Sequence, residues 1–138
     1  MTTFVPDPKT GLMQAEMSEV RFCCRESKAG YQKKASDLLT AYRIGRPRII
    51  SFLLHEIFDM YDAVPQEMLH LIVPPSLSDS YFPGAIFDPE LQAVLGTPVI
   101  NLDNDTLMFP EQQLDKHHSY VVEFGGLFEK LYYVTVNG

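Results

Sequence analysis

The sequence has no apolar run approaching the ~20 residues that a bilayer-spanning helix needs, so no such helix is expected. Its start, MTTFVPDPKTG, does not open on basic residues and has no apolar stretch, so a secretory signal is not expected. Cysteine is scarce. Cys23 and Cys24 are the only two, and adjacent cysteines cannot build a disulfide framework. A reducing, cytoplasmic setting is the expectation. Basic residues almost vanish after residue 48. Residues 49–138 hold only Lys116 and Lys130 against thirteen acids, a charge of −11. Residues 1–48 hold the other nine basic residues and five acids, a charge of +4, which leaves −7 for the whole chain. So acidic a body is a poor partner for a nucleic acid backbone, which rewards clustered Lys and Arg. It suits a basic protein surface, or mimicry of a polyanion. The plainer reading is that the basic third packs beside the acidic part.

The familiar chemical motifs are missing too. There is no Gly-x-Ser-x-Gly, no Walker loop and no Gly-x-Gly-x-x-Gly. His55-Glu56 begins like a zinc protease helix, but position 59 is Asp59 where a second histidine is needed. His117-His118 with Asp115 has no further Cys or His pair to complete a metal site. Cys23 and Cys24 fit buried small hydrophobes better than nucleophiles. Carboxylate pairs such as Asp103 with Asp105 arise readily among 18 acids, and Asp103-Asn104-Asp105 has turn chemistry. No catalytic residue, metal or cofactor is expected.

What is present is a globular composition. The 138 residues are 46% hydrophobic, enough for one domain that buries roughly 68–70% of its unfolded surface without staples. Residues 1–18, with Pro6, Pro8 and Gly11, read as an irregular lead. Val20, Phe22 and Cys24 alternate with polar neighbours as a short strand does. From Tyr31 to Arg43 apolar residues recur at three and four, which predicts a short helix closed by Gly45. Pro47 then suits the first turn of a second helix over 48–62. Ile49, Ile50, Leu53, Leu54, Ile57, Phe58 and Tyr61 give that helix one broad apolar face, and Pro65 ends it. A helix this apolar on a small sheet predicts a homodimer through that face. Strands are predicted over Met68–Val73 and Val99–Leu102, with a loop over 76–84. Ser119–Phe124 and Leu127–Val136 read as a hairpin about Gly125-Gly126. Helices followed by strands is α+β order.

From Arg46 onward the order of motifs resembles the stringent starvation protein B (SspB-type) adaptors, which deliver tagged proteins to the ClpXP protease. The matching residues are Arg46-Pro47-Arg48-Ile49-Ile50 with Phe52, Glu56, Asp59 and Pro65, then Leu69 to Val73. Pro83-Gly84, Pro98-Val99-Ile100-Asn101-Leu102, Phe124-Gly125-Gly126 and the strand Leu131 to Val136 follow. The resemblance implies N-terminal helices packed on a small, strongly bent antiparallel sheet or open barrel of Sm-like shape, a dimer, and a groove for an extended peptide. It divides the chain into a basic extension, 1–45, and a core, 46–138. The family's protease-docking tail has no counterpart before Gly138, so tag binding carries over better than delivery.

The expected function is therefore a non-enzymatic protein- or peptide-binding module, with no direct nucleic acid and no membrane as partner. Phe124, Gly125, Gly126, Leu127, Phe128 and Tyr132, with Tyr133 nearby, are the candidate binding residues, set beside a sheet edge able to accept a strand. The alternative is an acidic inhibitor, of phage or mobile-element type, that occupies a basic site of a nucleic-acid-binding complex.

Overall fold

A computed structural model describes residues 3–60, 93–113 and 118–137, with residues 58–60 as backbone alone. Seven strands form one sheet in chain order: β1 Val5–Pro6, β2 Met13–Met17, β3 Val20–Cys24, β4 Val99–Asn101, β5 Thr106–Phe109, β6 Ser119–Gly125 and β7 Lys130–Asn137. Neighbours are antiparallel except β3 and β4, which run parallel with Phe22 opposite Ile100. A parallel pair needs a long crossover, and the connection here carries the helix α1, Tyr31–Met60.

The expected architecture is overturned on three counts. The sheet is mixed rather than antiparallel, and among the described residues its two ends do not pair with each other as an Sm-like barrel would require. Two N-terminal helices become one, because α1 runs through Gly45 and Pro47 without a break. The lead over 1–18 is not irregular: it supplies β1 and β2. The alternation Met13, Ala15, Met17 is the strand signal there, with Ala15 buried against the core. The division at residues 45 and 46 accordingly falls inside α1, and strands from both sides of it share the sheet.

The continuity of α1 follows from magnitudes. An interior proline costs ~3 kcal/mol relative to alanine and a glycine ~1. Against that stand Ala35, Leu38, Leu39, Tyr42, Ile49, Ile50, Leu53, Leu54 and Ile57, all buried on one face. Each fully buried aliphatic side chain contributes ~1.5–3 kcal/mol, so the shared face outweighs both breakers.

The same burial removes the expected dimer surface. Ile49, Ile50, Leu53, Leu54 and Ile57 are at most 1% exposed in the single chain. They form one core with Phe22, Ile100, Leu107, Phe109, Tyr120, Val122 and Phe128, so the protein's own sheet covers them. The side chain of Phe58 and all of Tyr61 lie outside the described residues, as do the strand expected at Met68–Val73 and the loop at 76–84. Among the described residues, no helix is long and apolar enough to cross a membrane.

Candidate functional site

The hairpin expected at Phe124-Gly125-Gly126-Leu127 is present. β6 ends at Gly125, paired with Lys130, and residues 126–129 make the turn. Gly126 takes a positive φ of 62°, where a side chain is strained. A Cβ there would also lie 2.7 Å from Glu129 Oε1. That oxygen accepts a hydrogen bond from the Leu127 N–H at 2.6 Å, so the turn is tied from within. Gly125 has a different reason. A Cβ there would meet the Tyr132 hydroxyl at 2.7 Å, because the ring of Tyr132 lies over the glycine. Tyr132 occupies this place because the register slips between Glu123 and Phe124, leaving it unpaired between Leu131 and Tyr133.

The six candidate residues divide sharply. Phe124 and Phe128 are core: Phe128 is fully buried, stacks on Phe124 at 4.1 Å between centroids, and meets Tyr42 at 6.0 Å. An Arg48 guanidinium N–H donates to the Phe128 carbonyl, fixing the turn to α1. These two phenylalanines are thus not groove residues, because the turn folds them inward. Leu127 and Tyr132 face outward at 46% and 56% exposure. The structure brings Leu127 to a partner that the sequence reading passed over. Ile44, 78% exposed, shares with it a shallow groove of about 520 Å³ lined by Ala41, Ile44, Gly45, Pro47, Arg48, Leu127 and Glu129. The signal for Ile44 was its phase. It falls between Arg43 and Gly45, off the buried stripe that runs from Tyr42 to Ile49.

The acidic turn at 103–105 is a structural clamp. Asp103 accepts a hydrogen bond from the Tyr31 hydroxyl at 2.6 Å and another from the Arg25 N–H at 2.7 Å. The Tyr31 hydroxyl, then the Arg25 amide, hold the Asp103 carboxyl below the ordinary range. The same contact pushes Tyr31 up to about 12. Lys34 bridges Asp105 at 2.9 Å and donates to the Leu102 carbonyl at 2.7 Å. The first turn of α1 is thereby fastened to the β4–β5 turn. A second cavity, about 640 Å³, opens beside this clamp, lined by Leu12, Arg25, Glu26, Lys28, Asn101, Asp103 and Asn104, with charges of both signs.

Among the described residues, ion pairs tie the basic third mostly to its own acids, and two of them reach across to the acidic part. Arg43 and Arg46 pair with Glu19, Lys33 with Asp37, Lys34 with Asp105, and Arg21 with Glu16 and, at 4.0 Å, Glu111. Both cysteines are buried, and desolvation, the largest cause, pushes the Cys23 thiol up to about 11 and raises Cys24 as well. Neither is poised as a thiolate. Among the described residues, no group of three His, Cys, Asp or Glu side chains converges as a metal site.

Compared with known families, curated proteins and solved structures, the chain has no significant match to any of them.

Proposed function

We propose that this protein is a non-enzymatic protein-binding module whose groove between α1 and the β6–β7 turn captures an apolar side chain from an extended segment of a partner. One observation carries the reading: Ile44 and Leu127, two large aliphatic side chains from distant parts of the chain, both stand exposed in the lining of one shallow groove. The groove walls are built on rigid parts, a packed helix and a turn pinned by Phe128 and Arg48, so little ordering accompanies binding. Burying what remains exposed of both aliphatics contributes less than ~1.5–3 kcal/mol each, so further contacts along the bound segment must help to meet the cost of association. The net charge of −7 favours a partner segment with basic residues flanking its apolar anchor. In this reading Asp103 and Asp105 serve as a structural clamp and the two buried thiols as core. Peptide capture in this reading requires no protease.

Selection from a random peptide library on the full chain, with the Ile44→Asp/Leu127→Asp double variant as a second bait, tests this. Peptides that place a large apolar residue beside Lys or Arg should enrich on the unmodified chain alone. Equal enrichment on both baits would place binding elsewhere.

A further inference from the structure

The two ends of the sheet are treated differently. At one end β1 has two residues, and Pro6, which lacks an N–H, is one of them. Such an edge offers almost nothing to a neighbouring strand. At the other end lies β7, eight residues long, with no proline and no glycine. Among the described residues it pairs with β6 alone. Lys130 is its one charged residue, in a chain where 21% of residues are charged. A long, nearly uncharged edge is the kind that natural proteins cover.

The sequence of that edge points to its occupant. Beyond the bulge at Tyr132, a regular stretch Tyr133-Val134-Thr135-Val136-Asn137 pairs residue for residue with β6. Val134 and Val136 lie opposite Val122 and Tyr120, both fully buried, and so stand on the core side. Tyr133 and Thr135 face the other way. The segment is symmetric about Thr135: valine on each side, then a polar-tipped residue at each end. We infer that β7 pairs antiparallel with β7 of a second copy of this chain, on a two-fold axis at Thr135. Val134 of each copy then lies beside Val136 of the other, Thr135 beside Thr135, and Tyr133 beside Asn137. Apolar meets apolar on the core side, and hydroxyl meets hydroxyl on the outer side, a favourable cross-strand pair. The charges agree. No charged residue lies within the paired segment, and the two Lys130 ammonium groups fall at opposite ends of the ribbon. An isologous interface must be self-complementary in this way. The arrangement does not depend on the groove reading. It sets the two Ile44–Leu127 grooves at opposite ends of the joined sheet, where one partner with two apolar anchors could engage both.

Sedimentation of the full chain across the micromolar range tests this, with Thr135→Lys and Thr135→Ser alongside. The concentrated chain should sediment at twice 15.7 kDa. Thr135→Lys sets two ammonium groups face to face on the axis and should weaken association by at least about tenfold, while Thr135→Ser should not. Amide exchange in the unmodified chain reads the same edge without any variant. Residues 133–137 should exchange more slowly as concentration rises. Ile44→Asp should leave association unchanged. A monomer at every concentration, undiminished association of a folded Thr135→Lys, or exchange at 133–137 independent of concentration would each overturn the inference.

Discussion

Phe128 stacks on Phe124, with ring centroids 4.1 Å apart and planes 28° from parallel, while its own backbone sits at a φ of 64°. A left-handed backbone at a bulky residue is strained and persists only where the surroundings over-determine it. Here the stack and the Arg48 hydrogen bond to the Phe128 carbonyl do so. The consequence lies one residue earlier. With Phe128 held inward, Leu127 is turned out to the groove that faces Ile44.

Phe128→Ala should cost about 3–5 kcal/mol, the usual loss for a buried phenylalanine. Urea unfolding checks this. A loss below about 1 kcal/mol would mean that the ring does not hold the turn.

Gly126→Ala and Gly11→Ala form a second comparison. Both glycines have positive φ, so each substitution should cost roughly 1–2 kcal/mol of backbone strain. Gly11 has open space around its missing Cβ, whereas at Gly126 the new methyl meets the Glu129 carboxylate that binds the Leu127 N–H. Gly126→Ala should therefore lower the thermal midpoint more than Gly11→Ala.

Pro47→Ala should stabilise the protein, by up to about 3 kcal/mol, since it restores an interior helical donor. The measurement is the shift in urea midpoint. A destabilised variant would mean that the proline makes packing contacts that outweigh the missing hydrogen bond.

The Tyr31–Asp103 contact predicts two limbs in stability against pH. The depressed Asp103 pKa gives stability that is present above ~3.9 and lost as pH falls from there through the folded value. The raised Tyr31 pKa gives stability present below ~10 and lost as pH rises through about 12. Tyr31→Phe should flatten the alkaline limb. Asp103→Asn should flatten part of the acid limb, the rest belonging to groups such as Glu19, which is held low chiefly by Arg43. An unchanged pH profile in both variants would show that the clamp carries no stability.

The β6–β7 hairpin and β3 were legible in the sequence, because alternation and a Gly-Gly turn are local signals. The likeness to SspB-type adaptors rests on motif order alone. Three of its motifs fall on β4, on the hairpin turn and on β7, but Arg46-Pro47, which opens a helix in that family, lies in mid-helix here. Gly45 and Pro47 misled because their local propensity to end a helix is overridden by burial on both sides of them. The apolar face expected over 48–62 predicted a second copy as its cover, whereas from Ile49 to Ile57 the protein's own sheet covers it. What covers it was invisible, since the sheet is assembled from strands far apart in sequence. The same non-local assembly explains the site. Leu127 was named from its place beside the turn. Ile44 meets it only because α1 packs across β7, and Phe124 and Phe128 left the groove because the turn folds them into the core.

The most direct test is a methyl-labelled titration of the full chain with a peptide taken from the library selection. Resonances of Ile44 and Leu127 should shift first and furthest, those of buried Ile49, Leu53 and Ile57 should hold nearly still, and Ile44→Asp/Leu127→Asp should abolish binding with no change in thermal midpoint. Shifts that leave Ile44 and Leu127 untouched, or full binding by the double variant, would contradict a groove between α1 and the β6–β7 turn as the binding site.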